Sequence, residues 1–352
     1  MKPSEMVRLQ AACLKNVLRV LCLQKVDAAS HFSDVTPCLN QPGSKISSSY
    51  RWAFFMTLHA IPPEEQILKL NRYLIDNAGQ LPSPVITVGG QAVMYWYLTY
   101  LHLYPDQPDV TSITSIDVDY VTRKEGVNVI AKIFNVAAQV QEIFNPPSIA
   151  VLSLIDKDTG RVKEDAQGQF LNEQLNEANI VDIIDRPTGF NVGDFLNDKL
   201  TLNTEPFLVM PDRHGAAMSH EFVRVLNPVA CIRSRLSNAT VPMGKNRLTE
   251  AERIRVLALP AFNFLLEKLQ TLPFRQGRRY VDYFVSFIWD RAFRRFQAQH
   301  RIPLYRIVEQ LVAELELEPG DDMPPEFYQE ELSRKVDFLA QEYQRYLKHV
   351  DA

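Results

Sequence analysis

Apolar and polar positions recur along this chain with two periods, and the change of period marks its elements. Met6, Leu9, Cys13, Val17, Val20 and Leu21 repeat with helical spacing across residues 5–26, the mark of one apolar helix face. Residues 30–48, rich in Ser, Pro, Asn and Gly, predict a loop. Tyr50, Trp52, Phe54, Phe55 and Met56 follow as core-packing side chains. Pro62-Pro63-Glu64-Glu65 opens a helix near 64–77 with its acidic residues in the first turn. The pattern then tightens to a short apolar run, Val85-Ile86-Thr87-Val88, which predicts a strand. After Gly89-Gly90, the residues Ala92, Val93, Trp96, Tyr97, Tyr100 and Leu101 fall on one helical face. The stretch from Ser115 to Val121 alternates strictly. On a strand, Asp117 and Asp119 share one face, and Ile116, Val118 and Tyr120 share the other.

Further on, residues 124–143 predict a helix, Ile149–Ile155 a strand, and Asp156-Lys157-Asp158-Thr159-Gly160 a turn. Asn179 to Arg186 is a β-rich run with a carboxylate, Asp182, set among Ile and Val. Phe207–Met210 predicts a strand, and Glu221–Asn227 another, closed by Pro228 with a helix from Val229. From Leu248 the pattern is helical to the end, over Glu250–Leu269, Tyr280–Arg295 and Pro325–His349. The expected fold class is α+β. A small mixed sheet with helices on one side spans residues 81–240, between a helical extension at 1–80 and a helical domain at 241–352.

Composition narrows this picture only slightly. In 352 residues, 46% apolar and 23% charged content describe an ordinary globular chain able to bury a large core. The net charge of −4 gives no global bias towards nucleic acid. Cys13, Cys22, Cys38 and Cys231 form no CxxC pair and read as reduced, mostly buried thiols. Leu18–Leu23 is too short for a signal peptide, and no apolar run reaches the ~20 residues of a membrane span. A cytoplasmic, soluble protein with no membrane partner is expected. The seven His show no HExxH or zinc spacing, and neither a GxxxxGK[ST] loop nor a GxSxG elbow occurs.

The candidate chemistry lies in the carboxylates. Asp117 and Asp119 on one strand face can grip a divalent metal, and the bare Gly-Gly backbone can approach a phosphate. A carboxylate inside an apolar strand must be paired or bind metal. Asp182 therefore either binds a metal or is salt-bridged to a local Arg such as Arg186.

Strand, Gly-Gly, helix, then Asp-x-Asp on a second strand resembles the DNA polymerase beta-like nucleotidyltransferase superfamily, and within it the toxin-type members of the AbiE abortive-infection class. The motif covers Gly89, Gly90, Asp117 and Asp119, with Ser115 at the hydroxyl position before the first Asp. The Pro105–Ser112 part reads as an inserted loop. The resemblance implies a nucleotidyltransferase-like sheet that takes an NTP and Mg²⁺ (or Mn²⁺). It implies Asp117, Asp119 and Asp182 as catalytic metal ligands, Asp185 being the fallback for the third, with the nucleotide held by Gly89, Gly90 and Ser115. It also implies a basic residue on the helix after Pro228. That position falls at Arg235, where a Lys is usual, with Arg233 beside it. The implied acceptor is a hydroxyl of a tRNA or other RNA 3′ end, or of a protein side chain, in a toxin or phage-defence system with a cognate antitoxin as partner. A retired binding module and transfer to a small molecule such as an antibiotic are the alternatives.

One basic concentration stands out. Between residues 271 and 301 there are seven Arg against two Asp. Arg291, Arg294 and Arg295 lie at i, i+3 and i+4, so a helix makes them one patch, the candidate RNA contact. The plainer reading is an amphipathic helix with its Arg in solvent.

Overall fold

The computed structural model describes residues 59–60, 63–104, 113, 118–140, 147–156, 163–164, 178–209, 217–241, 246–320 and 322–350. The expectations for residues 5–56, and the positions of Ser115 and Asp117, lie outside them.

The strands are β1 (His59–Ala60), β2 (Val85–Val88), β3 (Val118–Val121), β4 (Ala138–Val140), β5 (Ser148–Asp156), β6 (Lys163–Glu164), β7 (Ala178–Ile184), β8 (Thr204–Pro206) and β9 (Val223–Leu226). Seven form one mixed sheet in the order β4-β5-β7-β3-β2-β9-β8, and β1 pairs separately with β6. The central pairs are β2 with β3, antiparallel, and two parallel pairs, β3 with β7 and β2 with β9. All four residues of β2 and all four of β9 are buried. The centre of the sheet is therefore covered on both faces rather than on one, as the unbroken apolar run Val85–Val88 requires. Arg224 is the exception inside β9. Its guanidinium is satisfied at the edge, where Nε donates to Thr204 Oγ1 at 2.6 Å and Nη2 to Thr204 O at 3.1 Å.

The helices are α1 (Pro63–Asp76), α2 (Gly89–Tyr100), α3 (Lys124–Ile133), α4 (Asn197–Asn203), α5 (Pro228–Thr240), α6 (Arg247–Thr271), α7 (Phe274–Ile288), α8 (Arg291–Gln299), α9 (Tyr305–Leu317) and α10 (Ser333–Val350). A π-helical turn, Phe327–Leu332, leads into α10. Every residue of α2 is buried. Trp96 ties it to the sheet by donating from Nε1 to Leu226 O at 2.7 Å. Pro228 opens α5 at a position with no N–H to lose, and the Asn227 side chain accepts from Ala230 N. One cluster of buried side chains runs from Ile67 through the sheet to Leu339, so the C-terminal helices share the core of the sheet. No described helix is long and apolar enough to cross a membrane. Cys231 is buried and free. Its Sγ donates to Leu226 O, and burial pushes the thiol up to about 12.

Three local expectations need correction. The helix expected over 124–143 stops at Ile133. Asn135 takes a left-handed φ of 54°, and Val136 N reaches back to Ala131 O at 2.9 Å, a Schellman closure without glycine. The chain then turns into the short strand β4. The strand expected at Phe207–Met210 lies instead at Thr204–Pro206. Beyond Pro206 the ladder thins to Phe207 N donating to Val223 O and an isolated Val209–Met218 bridge. Tyr280–Arg295 is split between α7 and α8. Asp290 caps the second helix by accepting from Ala292 N at 2.8 Å.

The α6–α7 contact is close enough to test. A Cβ at Gly277 would stand 2.5 Å from Lys268 O and 3.0 Å from Leu269 Cα, both backbone atoms that cannot rotate away. Ala is the better helix former by ~1 kcal/mol, but overpacking costs about 1–3 kcal/mol. Gly277→Ala is therefore expected to lower stability in urea unfolding. A variant as stable as the parent or more so would show that α6 and α7 stand further apart than described.

Candidate functional site

The site is built by strand register. Asp119 of β3 and Asp182 of β7 are Cα partners in a parallel pair. Laterally paired residues point to the same face, with their strands ~4.8 Å apart. Both side chains are half-buried. Of the pairings open to Asp182, the one with Arg186 does not form. Arg186 Nη1 lies 2.8 Å from the Oδ2 of its chain neighbour Asp185.

Asp119 also pairs with Val88, the last residue of β2, which sets its carboxylate against the glycine turn. Gly89 has a φ of 68°, and a Cβ there would fall 2.1 Å from Asp119 Oδ2. Gly89 is thus required twice, by its backbone angle and by the space Asp119 fills. Gly90 is the second residue of α2. The N-cap residue, Val88, has no side-chain acceptor to offer, and the helix brings its first-turn N–H groups and the positive end of its dipole beside Asp119. Two positions along the same face of β3, Val121 joins Ile86, Phe195 and Leu196 in lining a cavity of about 510 Å³.

Behind the carboxylates lies a charged cluster that the sequence reading only half found. Arg235, 3% exposed, sits on α5 with its Nη1 3.4 Å from the carboxylate of Glu250 on α6. Glu250 is fully buried and also takes Arg253 Nη1 at 3.2 Å on Oε1. Burial first, and then Arg235, hold the Arg253 guanidinium below the usual Arg range, against the opposing fields of Glu250 and Asp119. Two guanidinium groups against one glutamate leave a positive surplus, and Asp119 lies within its field. Arg235 is accordingly a buried member of this cluster rather than a side chain standing in an open cleft. Its neighbour Arg233 turns away, with its guanidinium 4.4 Å over the Phe190 ring and donating to Tyr283 Oη at 2.9 Å.

Glu250 and Arg253 were missed because their spacing carries no distinguishing signal. Glu252 and Arg255, exposed on the same helix, repeat the i, i+3 ion pair. Only the neighbouring apolar positions Ala251, Ile254 and Leu257 hint at which pair faces inward.

The Arg-rich segment does not form one patch. Arg294 reaches Glu342 of α10 at 2.6 Å and stacks over the Trp289 ring at 4.1 Å. Arg278 is taken up by Asp282 and Glu331. Arg291 and Arg295 stay exposed. The amphipathic reading, with Arg in solvent, thus describes Arg291 and Arg295, whereas Arg278 and Arg294 are taken up by carboxylates.

The donor set fits a hard divalent cation, which prefers oxygen ligands, since two carboxylates face one way at adjacent strands. Among the described residues no group of three or more His, Cys, Asp or Glu is placed to hold a metal, and Asp117 lies outside them. No protein-family model, curated protein or solved structure matches the chain.

Two variants test this geometry. Gly89→Ala must both adopt a positive φ and displace the Asp119 carboxylate, so a stability loss of ~2 kcal/mol or more is expected. A loss under half of that would separate Asp119 from the turn. Glu250→Ala leaves two buried guanidinium groups facing each other, and removing one partner of such a cluster costs about 3–5 kcal/mol. Unfolding within ~1 kcal/mol of the parent would mean that water reaches the cluster.

Proposed function

We propose that this chain is a metal-dependent nucleotidyltransferase that moves a nucleotide from an NTP to an acceptor hydroxyl and releases pyrophosphate. The observation that carries the reading is the in-register pairing of Asp119 with Asp182 on one face, against a glycine turn that admits no side chain.

Asp119 and Asp182, with Asp117 two positions upstream in the sequence, are the residues that would hold Mg²⁺ or Mn²⁺. Such an ion, when bound, neutralises triphosphate charge and eases ionisation of the acceptor hydroxyl. The remaining work belongs to the chain. The first turn of α2 offers N–H donors to the phosphates, and Gly89 keeps the approach to them open. The Arg253 guanidinium and the Asp119 carboxylate lie within each other's field. Asp182, the half-buried carboxylate beside it, takes the proton of the acceptor hydroxyl. The hydroxyl oxygen forms its bond to the α-phosphorus while the bond from that phosphorus to the bridging oxygen breaks, and the electron pair leaves with pyrophosphate. The cavity at Ile86, Val121 and Phe195 offers apolar walls suited to a base or to part of the acceptor. The acceptor class proposed is an RNA 3′ end or a protein hydroxyl, as in toxin-type members of the superfamily.

The test is to incubate the protein with each labelled NTP, Mg²⁺ and either total RNA or total protein, and to follow the label. Asp119→Asn is expected to abolish transfer while the fold persists. Asp182→Ala is expected to reduce transfer by about 10²–10⁴-fold with unchanged or higher thermal stability, because it relieves repulsion between neighbouring carboxylates. Near-parental transfer by Asp119→Asn would sink the reading. So would a marked loss of stability in Asp182→Ala with transfer retained.

A further inference from the structure

A second site lies away from the carboxylates. Residues at the end of α5, the start of α6 and the exposed side of α8 enclose a cavity of about 630 Å³, within the size range of small-ligand pockets. Arg247, Arg291 and Arg295 line it together with Thr240, Phe296 and Gln299. Asp290 is the one carboxylate in the wall among the described residues, and its Oδ1 accepts at the N-cap of α8. The three guanidinium groups form no ion pair among the described residues. Elsewhere in the same region, Arg278 and Arg294 each found a carboxylate. The contrast matters because an Arg that folding has not neutralised keeps its full fork of donors for a ligand. The positive field is felt nearby. The His300 ring lies 4.3 Å from that of Phe296, and burial first, then Arg255 and Arg247, hold its imidazole below the usual range.

We propose that this cavity is a phosphate-binding site, taking two or more phosphoryl groups on Arg247, Arg291 and Arg295, with Phe296 as an apolar wall beside them. Bidentate Arg–phosphate pairs match the planar donor fork to tetrahedral oxygens. Three of them against one occupied carboxylate fit a polyanion better than a single charge. The phosphates can come from a free nucleotide or pyrophosphate, or from an RNA strand. The proposal does not rest on nucleotidyl transfer, because it concerns binding alone and involves none of the carboxylates of the first site.

The experiment is calorimetric titration of the full chain with pyrophosphate, with ATP and with a short single-stranded RNA, all in EDTA so that no divalent ion bridges ligand to Asp119 and Asp182. At least one of the three is expected to bind, and Arg291→Glu combined with Arg295→Glu to weaken it tenfold or more. The three Arg are exposed, so the double variant should fold, and its circular dichroism and melting point check this. Arg291→Lys with Arg295→Lys, which keeps the charge and loses the fork, should fall between parent and double Glu variant. Tight pyrophosphate or ATP binding assigns the site to a free phosphate ligand. Binding of RNA alone assigns it to a strand, and its affinity should then fall with salt by a slope of ~0.7 per phosphate contacted. The proposal is overturned if none of the three ligands binds at millimolar concentration, or if a ligand binds the double Glu variant as tightly as the parent.

Discussion

The carboxylate of Asp119 occupies the space where a side chain on residue 89 would stand, and much of the architecture follows from that one exclusion. It makes glycine obligatory at the turn, lets β2 run straight into α2 at a positive φ, and fixes the register of β3 against β2. Register then propagates. A one-residue slip of a strand would turn every side chain to the opposite face, so the pairing of Val88 with Asp119 also fixes Val121 opposite Ile86. Through β7, it sets Asp182 opposite Asp119. The buried rows Val118, Tyr120, Val181 and Ile183 hold that register energetically, because a slip would bring these side chains out of the core and carry the carboxylates into it.

Charge is balanced over the same short distance. Two carboxylates side by side repel, and two guanidinium groups around one glutamate repel as well. Arranged as they are, the positive surplus of Arg235, Glu250 and Arg253 reaches Asp119. Buried ion clusters of this kind contribute little net stability against an apolar replacement, but they are costly to leave half-made. The cluster therefore does more for position than for stability. It ties α5 to α6 beside the strand that carries Asp119, and it makes the packing of the two helices sensitive to every charge in it.

What the sequence disclosed follows from whether a side chain breaks the local pattern. Val85–Val88, the two glycines and the apolar face of α2 predict their elements directly, and the structure forms them within a residue or two. Asp182 is legible because a carboxylate among Ile and Val contradicts its surroundings. Glu250 and Arg253 are not, because charges at i, i+3 on a helix look alike whether they face solvent or core. The edge strands β4 and β8 escaped for another reason. Three residues carry too little alternation to register, and Asn135 ended α3 with a geometry usually signalled by glycine. The Arg-rich segment shows a third limit. Arg291, Arg294 and Arg295 are equivalent in spacing, and only the packing of α10 against α8, which brings Glu342 to Arg294, separates them.

That separation explains how an acidic chain can hold a strongly basic cavity. Net charge is a sum over the whole surface, whereas a ligand responds to the charges that remain unpaired within about a Debye length, ~8 Å at physiological salt. Part of the acid in the C-terminal helices is spent internally: Asp282 and Glu331 on Arg278 and Lys335, Glu342 on Arg294 and Arg345. None of it is paired with Arg247, Arg291 or Arg295 among the described residues. Helix α5 joins this cavity to the first site. Arg235 belongs to the charged cluster and Thr240 to the cavity wall, five residues or ~7.5 Å apart along the axis. On α6, Arg247 and Glu250 are separated by a single turn in the same way. The charged cluster behind the first site and the basic cavity thus stand on the same pair of packed helices, and the distance between them is set by helix geometry rather than by a loop.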